Sequence, residues 1–337
     1  MAPFEPRVSV LLPALNAAQT LELSLKSVAR QSFSDFECVV VDNGSRDFTL
    51  GVVQAFAQAD PRFRAISVEE RGIVRALDAG LRACRGAYVA RMDADDVMHR
   101  DRLASQVAVL DAQPELSAVG CHVRLFPRRG LTDGMRGYES WLNAIDSPER
   151  LRAEAFVECP IAHPTLMIRR TVLFDFGYRD RGWPEDYDLI LRLLLAGHEL
   201  GVVPRRLLGW RDGPARLSRT APEYRSESIT ACKAAFLCES FLRDTEQYVL
   251  WGYGDTGRVL SRALSAHGRT PAHIVELHPG RIGQRIAGAR VISPAELGSL
   301  PRRPLVVSVA GATPRSQIRS ALFELGYAET VDFVCAA

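Results

Sequence analysis

The sequence predicts an α/β protein built on a parallel sheet and followed by a second, smaller α/β region. Short apolar runs alternate with amphipathic helix patterns through the first hundred residues, and a similar alternation begins again near Tyr248. Such alternation is typical of a parallel sheet with helices on both faces. The chain has 337 residues, a length that suggests about two domains.

The first region is expected to place its polar loops at one edge of the sheet. Its predicted strands are Val8–Leu12 (ended by Pro13), Cys38–Val41, Phe63–Val68 and Tyr88–Met92. It also has three predicted helices: the first begins at Leu21, the second ends near Gln58 and the third spans Ile73–Ala83. In open parallel sheets ligands bind at the carboxyl ends of the strands. The two polar clusters at those ends are Asp42–Ser45 and Asp93–Asp96.

The rest of the chain divides into a less regular middle and a second alternation. The middle has a predicted helix after Pro184 and a bridging helix at Glu223–Leu242. The second alternation has predicted strands at Tyr248–Trp251, Ile274–Leu277 and Leu305–Val309, one predicted helix that ends at Ala266 and another that spans Ile318–Leu325. We therefore predict a first domain at 1–220, a helical linker at 221–245 and a small Rossmann-like domain at 246–337.

Composition and charge exclude several classes of protein. Apolar residues make up 47% and charged residues 24%, which excludes wholesale disorder, and a net charge of +2 indicates no nucleic-acid partner. The seven scattered cysteines contain no CxxC pair, so we expect free thiols rather than a zinc or redox motif. Without an apolar run of about 18 residues or a signal sequence, we predict a cytoplasmic protein. Association with the inner face of a membrane and homo-oligomer formation stay open.

The cluster Asp93-Ala94-Asp95-Asp96 predicts a metal site. Three carboxylates crowd one strand end, where their repulsion is costly without a cation. Hard oxygen ligands favour Mg²⁺ or Mn²⁺, which also hold diphosphates. The alternative is a solvated acidic turn in which one aspartate caps the following helix.

Two further acidic positions have a functional and a structural interpretation. Asp42 ends a strand at the same edge and could accept hydrogen bonds from a base or ribose, or form a turn with Gly44. Glu185 and Asp186 open a helix directly after Pro184, where acids suit the helix dipole, or where one of them could act as a general base. The dipole is expected to keep Asp186 ionised.

An ordered set of segments resembles the family 2 inverting glycosyltransferases. The segments are Val8–Asn16, Ser27–Phe33, Phe36–Asp47, Gly72 with Ala76–Leu81, Gly86–Arg91, Asp93–Asp96 and Pro184–Leu189. They occur in the family's order and spacing over about residues 7–215, and the ordered set is far more specific than any one motif. The resemblance implies a GT-A nucleotide-diphosphate-sugar fold and an inverting mechanism.

The resemblance also implies roles for individual residues. Pro13, Ala14, Asn16, Asp42, Gly72 and Asp93 would bind the donor, a nucleotide-diphosphate sugar whose base we take to be uracil or thymine. Asp93 and Asp95 would bind Mn²⁺ or Mg²⁺, with Asp95 the direct ligand. Asp186 would take the proton from the hydroxyl of a glycan or lipid-linked acceptor, and Glu185 would orient that acceptor or support the loop. His163 and Trp183 would lie on the acceptor side.

The chain departs from the family pattern at several positions. Asp78 stands where the family usually has Asn, and no histidine follows the catalytic helix. Arg211 and Arg216, in the loop that follows, could clamp the diphosphate instead, or form a solvated basic loop. A lone histidine such as His163 is also often structural.

The C-terminal region contains a glycine fingerprint at Gly252, Gly254 and Gly257, with Glu276 close to the spacing of a ribose-binding acid. It resembles the Rossmann-like domain of sugar acyltransferases. We favour a structural or oligomerising role over a working dinucleotide site. The leading hypothesis is therefore a metal-dependent glycosyltransferase of surface polysaccharide synthesis. The alternatives are a nicotinamide-dependent sugar-nucleotide oxidoreductase led by this region, and a non-catalytic sensor of nucleotide sugars.

Overall fold

The structure is a computed structural model that describes residues 5–214 and 216–337. It divides the chain into two compact units. Unit 1 contains the chain up to Pro148, Ile161–Arg181 and Glu185–Arg216, and unit 2 contains Glu149–Pro160, Gly182–Pro184 and Leu217–Ala337. The first four residues of the predicted 1–220 domain, and Ala215, lie outside the described residues.

Unit 1 is built on a mixed sheet of eight strands. The strands are β1 (Val8–Ala14), β2 (Phe36–Asp42), β3 (Phe63–Ser67), β4 (Tyr88–Arg91), β5 (Val97–Met98), β6 (Leu116–Phe126), β7 (Met167–Arg169) and β8 (Glu199–Arg211). Their order is β3-β2-β1-β4-β7-β6-β8-β5. The first four in this order are parallel, as predicted, whereas β7 runs antiparallel to both of its neighbours.

The helices of unit 1 connect these strands. They are α1 (Leu21–Ala29), α2 (Thr49–Ala59), α3 (Ile73–Ala83), α4 (Arg102–Ala112), α5 (Asp133–Leu142), α7 (Arg170–Phe176) and α8 (Glu185–Leu195), with α6 (Pro148–Glu154) at the boundary of the two units and a 3-10 turn at His163–Thr165. Helix α3 lies close to the sheet at Gly80, where a Cβ would come within 2.2 Å of Leu11 Cδ1.

The first two strands are buried at every residue, because continuous apolar runs suit a sheet covered on both faces. The prediction that Pro13 ends the first strand is wrong, since β1 continues to Ala14. Strand β4 pairs with β1 only as far as Leu11, so Pro13 has a neighbour on one side alone. A proline there costs no ladder hydrogen bond on the open side.

Unit 2 contains a six-stranded sheet. Its strands are β9 (Gln247–Trp251), β10 (Thr270–Val275), β11 (Arg285–Ile286), β12 (Ala289–Ile292), β13 (Leu305–Val307) and β14 (Phe333–Cys335), in the order β11-β12-β10-β9-β13-β14. All its neighbouring strands are parallel except β11 and β12. Its helices are α9 (Leu217–Thr220), α10 (Ser226–Glu239), α11 (Asp255–Ala266), α12 (Pro294–Leu297) and α13 (Ala312–Glu324), with a 3-10 turn at Pro222–Tyr224.

Several predicted elements of unit 2 have other bounds in the structure, and the largest difference is in the helix predicted at Ile318–Leu325, which spans Ala312–Glu324. Strand β10 ends at Val275 rather than Leu277, whose side chain is exposed, although the Glu276 N–H still donates to the Ile292 carbonyl of β12 at 3.0 Å. The predicted helix at Glu223–Leu242 begins only at Ser226, since Arg225 is extended. All seven cysteines are free thiols, and six are buried. Among the described residues, no helix has the length and apolar character that crossing a bilayer requires.

Candidate active site

The predicted donor residues meet at the carboxyl ends of β1 and β2. Ala14 pairs with Asp42 across the two strands, and the Asn43 N–H donates to the Ala14 carbonyl at 2.9 Å. Asn16 has a positive φ of 50° and joins the two loops, because its N–H donates to Ser45 Oγ at 2.9 Å. The structure therefore brings Pro13, Ala14, Asn16 and Asp42 to one edge of the sheet.

Asp42 has an unsatisfied carboxylate oxygen. Its side chain is buried, and Oδ1 has no hydrogen-bond partner among the described residues. Gly72 belongs to the same edge, since its N–H donates to Asn43 Oδ1 at 2.8 Å. Buried polar atoms almost always have a partner, so the free oxygen marks a place where a ligand could donate a hydrogen bond.

The acidic cluster lies between β4 and β5. One carboxylate oxygen from each of Asp93, Asp95 and Asp96 lies within 4.8 Å of the others. Burial, followed by the charge of Asp93, raises the pKa of Asp95. Burial, followed by the charges of Asp93 and Asp95, raises the pKa of Asp96 well above its usual value. A bound cation would relieve both effects.

Asp96 belongs to the predicted acidic cluster but was not one of the two predicted metal ligands, Asp93 and Asp95. It is 1% exposed, its Oδ1 accepts the Arg211 N–H at 2.7 Å, and its Oδ2 has no hydrogen-bond partner in the described part of the chain. Three hard oxygen donors, one with a vacant lone pair in a buried position, fit a divalent ion such as Mg²⁺ or Mn²⁺. The signal in the sequence was a third aspartate directly after Asp95 in the cluster.

The predicted arginine clamp lies beside this cluster. Arg211 Nε donates to the Asp95 carbonyl at 2.7 Å, and its guanidinium lies over the Phe126 ring at 4.6 Å. The Arg216 guanidinium stacks on Trp210 at 4.3 Å. Strand β5 pairs with β8 at Leu208 and Gly209, which brings these arginines to the acidic loop. Arg211 thus orders the loop through its own contacts.

The second acidic pair opens helix α8. Glu185 Oε1 lies 3.4 Å from His163 Nδ1, and both side chains are buried. The other ring nitrogen of His163, Nε2, lies 3.0 Å from the hydroxyl of the buried Tyr178. Asp186 is partly exposed, and its Oδ1 accepts the N–H of Tyr187 at 2.8 Å. The structure therefore holds Glu185 by His163 and leaves Asp186 open to solvent on one side.

Burial and a neighbouring charge act on Asp186 in addition to the helix dipole that was expected to keep it ionised. Burial, followed by the charge of Glu185, raises its pKa to about 6. His163, the Tyr187 N–H and Arg91 oppose this rise without cancelling it. A carboxylate with a pKa near 6 suits a general base at neutral pH, because it is ionised and yet still basic.

Arg91 connects the two acidic groups, and the sequence analysis gave it no role. It is 4% exposed, forms an ion pair with Asp93 at 2.6 Å, and interacts electrostatically with Glu185 and Asp186. A charged residue at the end of a buried strand was the available signal. Asp78, the departure from the family pattern, is half-buried, accepts the N–H of Tyr178 and has its pKa raised by burial.

Trp183 and the glycine fingerprint belong to unit 2. The Trp183 ring packs against Phe236 with centroids 6.4 Å apart. A Cβ on Gly257 would lie 2.3 Å from the Gly252 carbonyl, whereas one on Gly254 would meet nothing within 4 Å. Glu276 accepts the Tyr253 N–H at 3.0 Å and pairs with Arg281 at 3.2 Å. Glu276, which was predicted to bind a ribose, thus stabilises the glycine loop through its own contacts.

Two relatives are similar to much of this chain. An uncharacterised glycosyltransferase of Haemophilus influenzae is 28% identical over 239 residues, which cover 67% of this chain and 74% of the relative. The O-antigen biosynthesis glycosyltransferase WbnJ of Escherichia coli is 29% identical over 192 residues, which cover 56% of this chain and 71% of the relative. These likenesses support sugar transfer and do not support the oxidoreductase alternative.

Two solved structures share the fold. Residues 1–349 of S. aureus TarS, in complex with UDP-GlcNAc, match with a TM-score of 0.56 and 18% identity over 77% of this chain and 72% of that chain. The mannosyltransferase PcManGT of Pyrobaculum calidifontis, in complex with GDP-Man and Mn²⁺, matches with a TM-score of 0.50 and 24% identity over 79% of this chain and 70% of that chain. The predicted GT-A fold is confirmed.

The family model that matches this chain is that of glycosyl transferase family 2, and it covers residues 9–176. Those residues include the strand-end loops and the Asp93–Asp96 cluster, whereas Glu185 and Asp186 lie just beyond them. Residues 9–176 therefore form a family 2 glycosyltransferase domain, and the protein is a glycosyltransferase.

Proposed function

We propose that this glycosyltransferase is inverting and metal-dependent, and that it transfers a sugar from a nucleotide-diphosphate donor to a hydroxyl of a glycan or glycolipid in surface polysaccharide synthesis. The observation that carries the proposal is the presence of two separate acidic groups around Arg91. One has a buried oxygen without a partner, and the other contains a carboxylate with a raised pKa. The name of the relative WbnJ supports the polysaccharide class.

Asp93, Asp95 and Asp96 would hold Mn²⁺ or Mg²⁺, with Asp95 as the direct ligand. A divalent ion bound there would neutralise charge on the diphosphate as it leaves. Arg91 holds Asp93 in place, while the backbone and side chain of Arg211 hold Asp96 and the Asp95 carbonyl. Arg211 and Arg216 would contribute positive charge toward the diphosphate.

Asp186 would act as the general base. Its carboxylate takes the proton of the acceptor hydroxyl as that oxygen bonds to the anomeric carbon and the bond from this carbon to the diphosphate oxygen breaks. Attack from the face opposite the leaving group inverts the anomeric centre. General-base action typically contributes about 10²–10⁴-fold to the rate.

Glu185 and its partners would prepare this base. The negative charge of Glu185 raises the pKa of Asp186, and His163 holds Glu185 through a contact of 3.4 Å. Tyr178 holds His163 in turn at 3.0 Å. Glu185 and His163 would thereby orient the acceptor side of the site, and the assignment of Trp183 to that side stays a prediction.

The donor's nucleotide would bind at the ends of β1 and β2. Pro13, Ala14 and Asn16 would line the pocket, Gly72 would close it, and Asp42 Oδ1 would accept a hydrogen bond from an N–H of the base. Uracil and thymine each offer such a donor at their ring N–H. We also propose the division into domains at 1–220 and 246–337 with a linker between them.

A panel of nucleotide sugars tests this proposal on the full chain. We expect thermal stabilisation by one donor, dependent on Mn²⁺, in the wild type and in the control Asp175→Asn, which removes an exposed carboxylate outside the site. Asp95→Asn should lose that dependence. NMR of the product should show an anomeric configuration opposite to that of the donor, and a retained configuration would refute the inverting mechanism.

A further inference from the structure

An open pocket of about 460 Å³ lies in unit 1, and none of the residues that line it belongs to either acidic group. It is lined by His99, His122, Asn143 and the segment Pro204–Leu207. This volume is within the range of small-molecule sites, about 300–1,000 Å³. The pocket has no part in the function proposed above.

A bulge in β8 forms one wall of this pocket. Cys121 of β6 pairs with Val203, but the next residue, His122, pairs with Arg206. Two extra residues, Pro204 and Arg205, are therefore accommodated opposite one step of β6. Bulges redirect side chains, and Pro204 has no N–H to donate to the ladder. The sequence therefore favours the bulge at this point of β8.

The lining is basic and contains no carboxylate. Arg205 Nη1 donates to Ser105 Oγ at 3.0 Å, and its guanidinium lies 3.9 Å from Asp101. The Arg206 side chain is exposed and makes no hydrogen bond or ion pair with any residue that the structure describes, while its backbone lies in the ladder opposite His122. The charge of Arg206 helps to lower the pKa of Glu139, but that carboxylate is already paired with Arg128 at 2.5 Å. The Arg206 guanidinium is thus a free set of donors.

The histidines differ in what they can offer. His99 Nδ1 accepts the Asp101 N–H at 3.2 Å, so Nε2 carries the proton and is the donor available to a ligand. His122 uses Nε2 to donate to the Ile145 carbonyl at 3.0 Å. The side-chain amide of Asn143 is bound on both sides to the backbone of Val123. His99 and Arg206 are therefore the two groups that can turn to a ligand.

We propose that this pocket binds a phosphate-bearing ligand through the Arg206 guanidinium and His99 Nε2–H. The planar fork of arginine matches phosphate oxygens, and charged hydrogen bonds of this kind are the strong ones. The volume exceeds that of phosphate alone, and so leaves room for a sugar or glycerol that carries it. A soluble sugar phosphate and a phospholipid headgroup share this chemistry.

Titration calorimetry of the full chain with glucose 6-phosphate tests the soluble form, and flotation with phosphatidylglycerol vesicles against phosphatidylcholine vesicles tests the lipid form. Arg206→Gln should weaken binding about 10- to 100-fold, the cost of losing a charged hydrogen bond. Arg129→Gln removes the same charge from an exposed loop position and should leave binding unchanged. Arg206→Lys should restore part of the affinity, and a melting curve of each variant checks folding.

The proposal is supported if binding of one ligand is weakened by Arg206→Gln and not by Arg129→Gln. The ligand that binds then identifies the source of the phosphate. Three outcomes would overturn it. The first is that the wild type binds neither ligand. The second is that Arg206→Gln and Arg129→Gln lose affinity equally, which would mean that binding depends on net charge alone. The third is that Asp95→Asn rather than Arg206→Gln abolishes binding, which would assign the ligand to the acidic cluster. Loss of donor-dependent activity has no bearing on these results, so this proposal and the proposed function can fail separately.

Discussion

The loops at the strand ends of the two units differ in how their polar groups are satisfied. In unit 1, Asp42 Oδ1 and Asp96 Oδ2 are buried without a partner among the described residues. In unit 2, Glu276 is bound to the Tyr253 N–H and to Arg281, and Ser308 Oγ donates to the Gly252 carbonyl at 2.8 Å. Both regions have the strand–loop–helix pattern of ligand-binding α/β proteins.

Unsatisfied buried oxygens distinguish a ligand site from a structural turn. A buried oxygen without a partner costs free energy that a ligand can offset, whereas a fully bonded loop stabilises only its own fold. We therefore interpret the unit 1 edge as a ligand site and the glycine loop of unit 2 as a structural turn. Substitutions in each of the two loops should therefore have different effects.

The largest effect is expected at the proposed base in unit 1. Asp186→Asn keeps the size of the side chain but cannot accept the proton, so turnover should fall by about 10²–10⁴-fold with donor affinity nearly unchanged. Steady-state kinetics with the true acceptor measure this, and Glu185→Gln should cost less. A nearly normal rate for Asp186→Asn beside an inactive Glu185→Gln would reverse the two roles.

The next effect concerns the cation. Asp95→Asn should weaken binding of a nucleoside diphosphate in the presence of Mn²⁺ by about tenfold or more, because a charged ligand of the ion is lost while the fold is kept. Calorimetry measures the affinity, with Asp175→Asn as the charge-matched control. Equal affinity in Asp95→Asn and the wild type would remove the metal from the unit 1 site.

The glycine loop of unit 2 should respond in stability rather than in ligand binding. Gly257→Ala places a Cβ against the Gly252 carbonyl and should lower the free energy of unfolding by about 1–3 kcal/mol. Gly254→Ala meets open space and should change it by about 0.5 kcal/mol or less. Urea unfolding of the full chain compares the two. Tight calorimetric binding of NAD(H), lost in Glu276→Ala, would make this loop a ligand site and end the contrast.

The smallest effect is a shift in the pH profile. Since the pKa of Asp186 is about 6, turnover should fall on the acid side of about pH 6 as the base becomes protonated. Glu185→Gln removes a negative charge that raises this pKa, so the midpoint should move to lower pH. Rates from pH 5 to pH 8 on the same acceptor measure the shift. An unchanged or higher midpoint would show that Glu185 does not act on the base.

Much of the fold follows from local patterns in the sequence. Helix α3 has the bounds that were predicted, and the four strands predicted in the first hundred residues were located to within about two residues, whereas β5, β6, β7 and β8 were not predicted. Apolar runs and helical periodicity are local properties, so they are readable without a structure. The extension of β1 through Pro13 was not predictable, because it depends on how far β4 follows its neighbour.

The order of the motifs, the family resemblance and the acidic residue types at the ends of the strands can all be read from the residues of the chain. Which of those acids have partners depends on the folded structure. Among the described residues, Asp42 Oδ1 and Asp96 Oδ2 have no hydrogen-bond partner, Glu276 is bound within its own loop, and Arg91 lies between two acidic groups. Burial and many electrostatic neighbours come from residues distant in the chain, so local sequence patterns do not reveal them. At Asp186 burial raises the pKa, whereas the N-terminal end of its helix favours the ionised form.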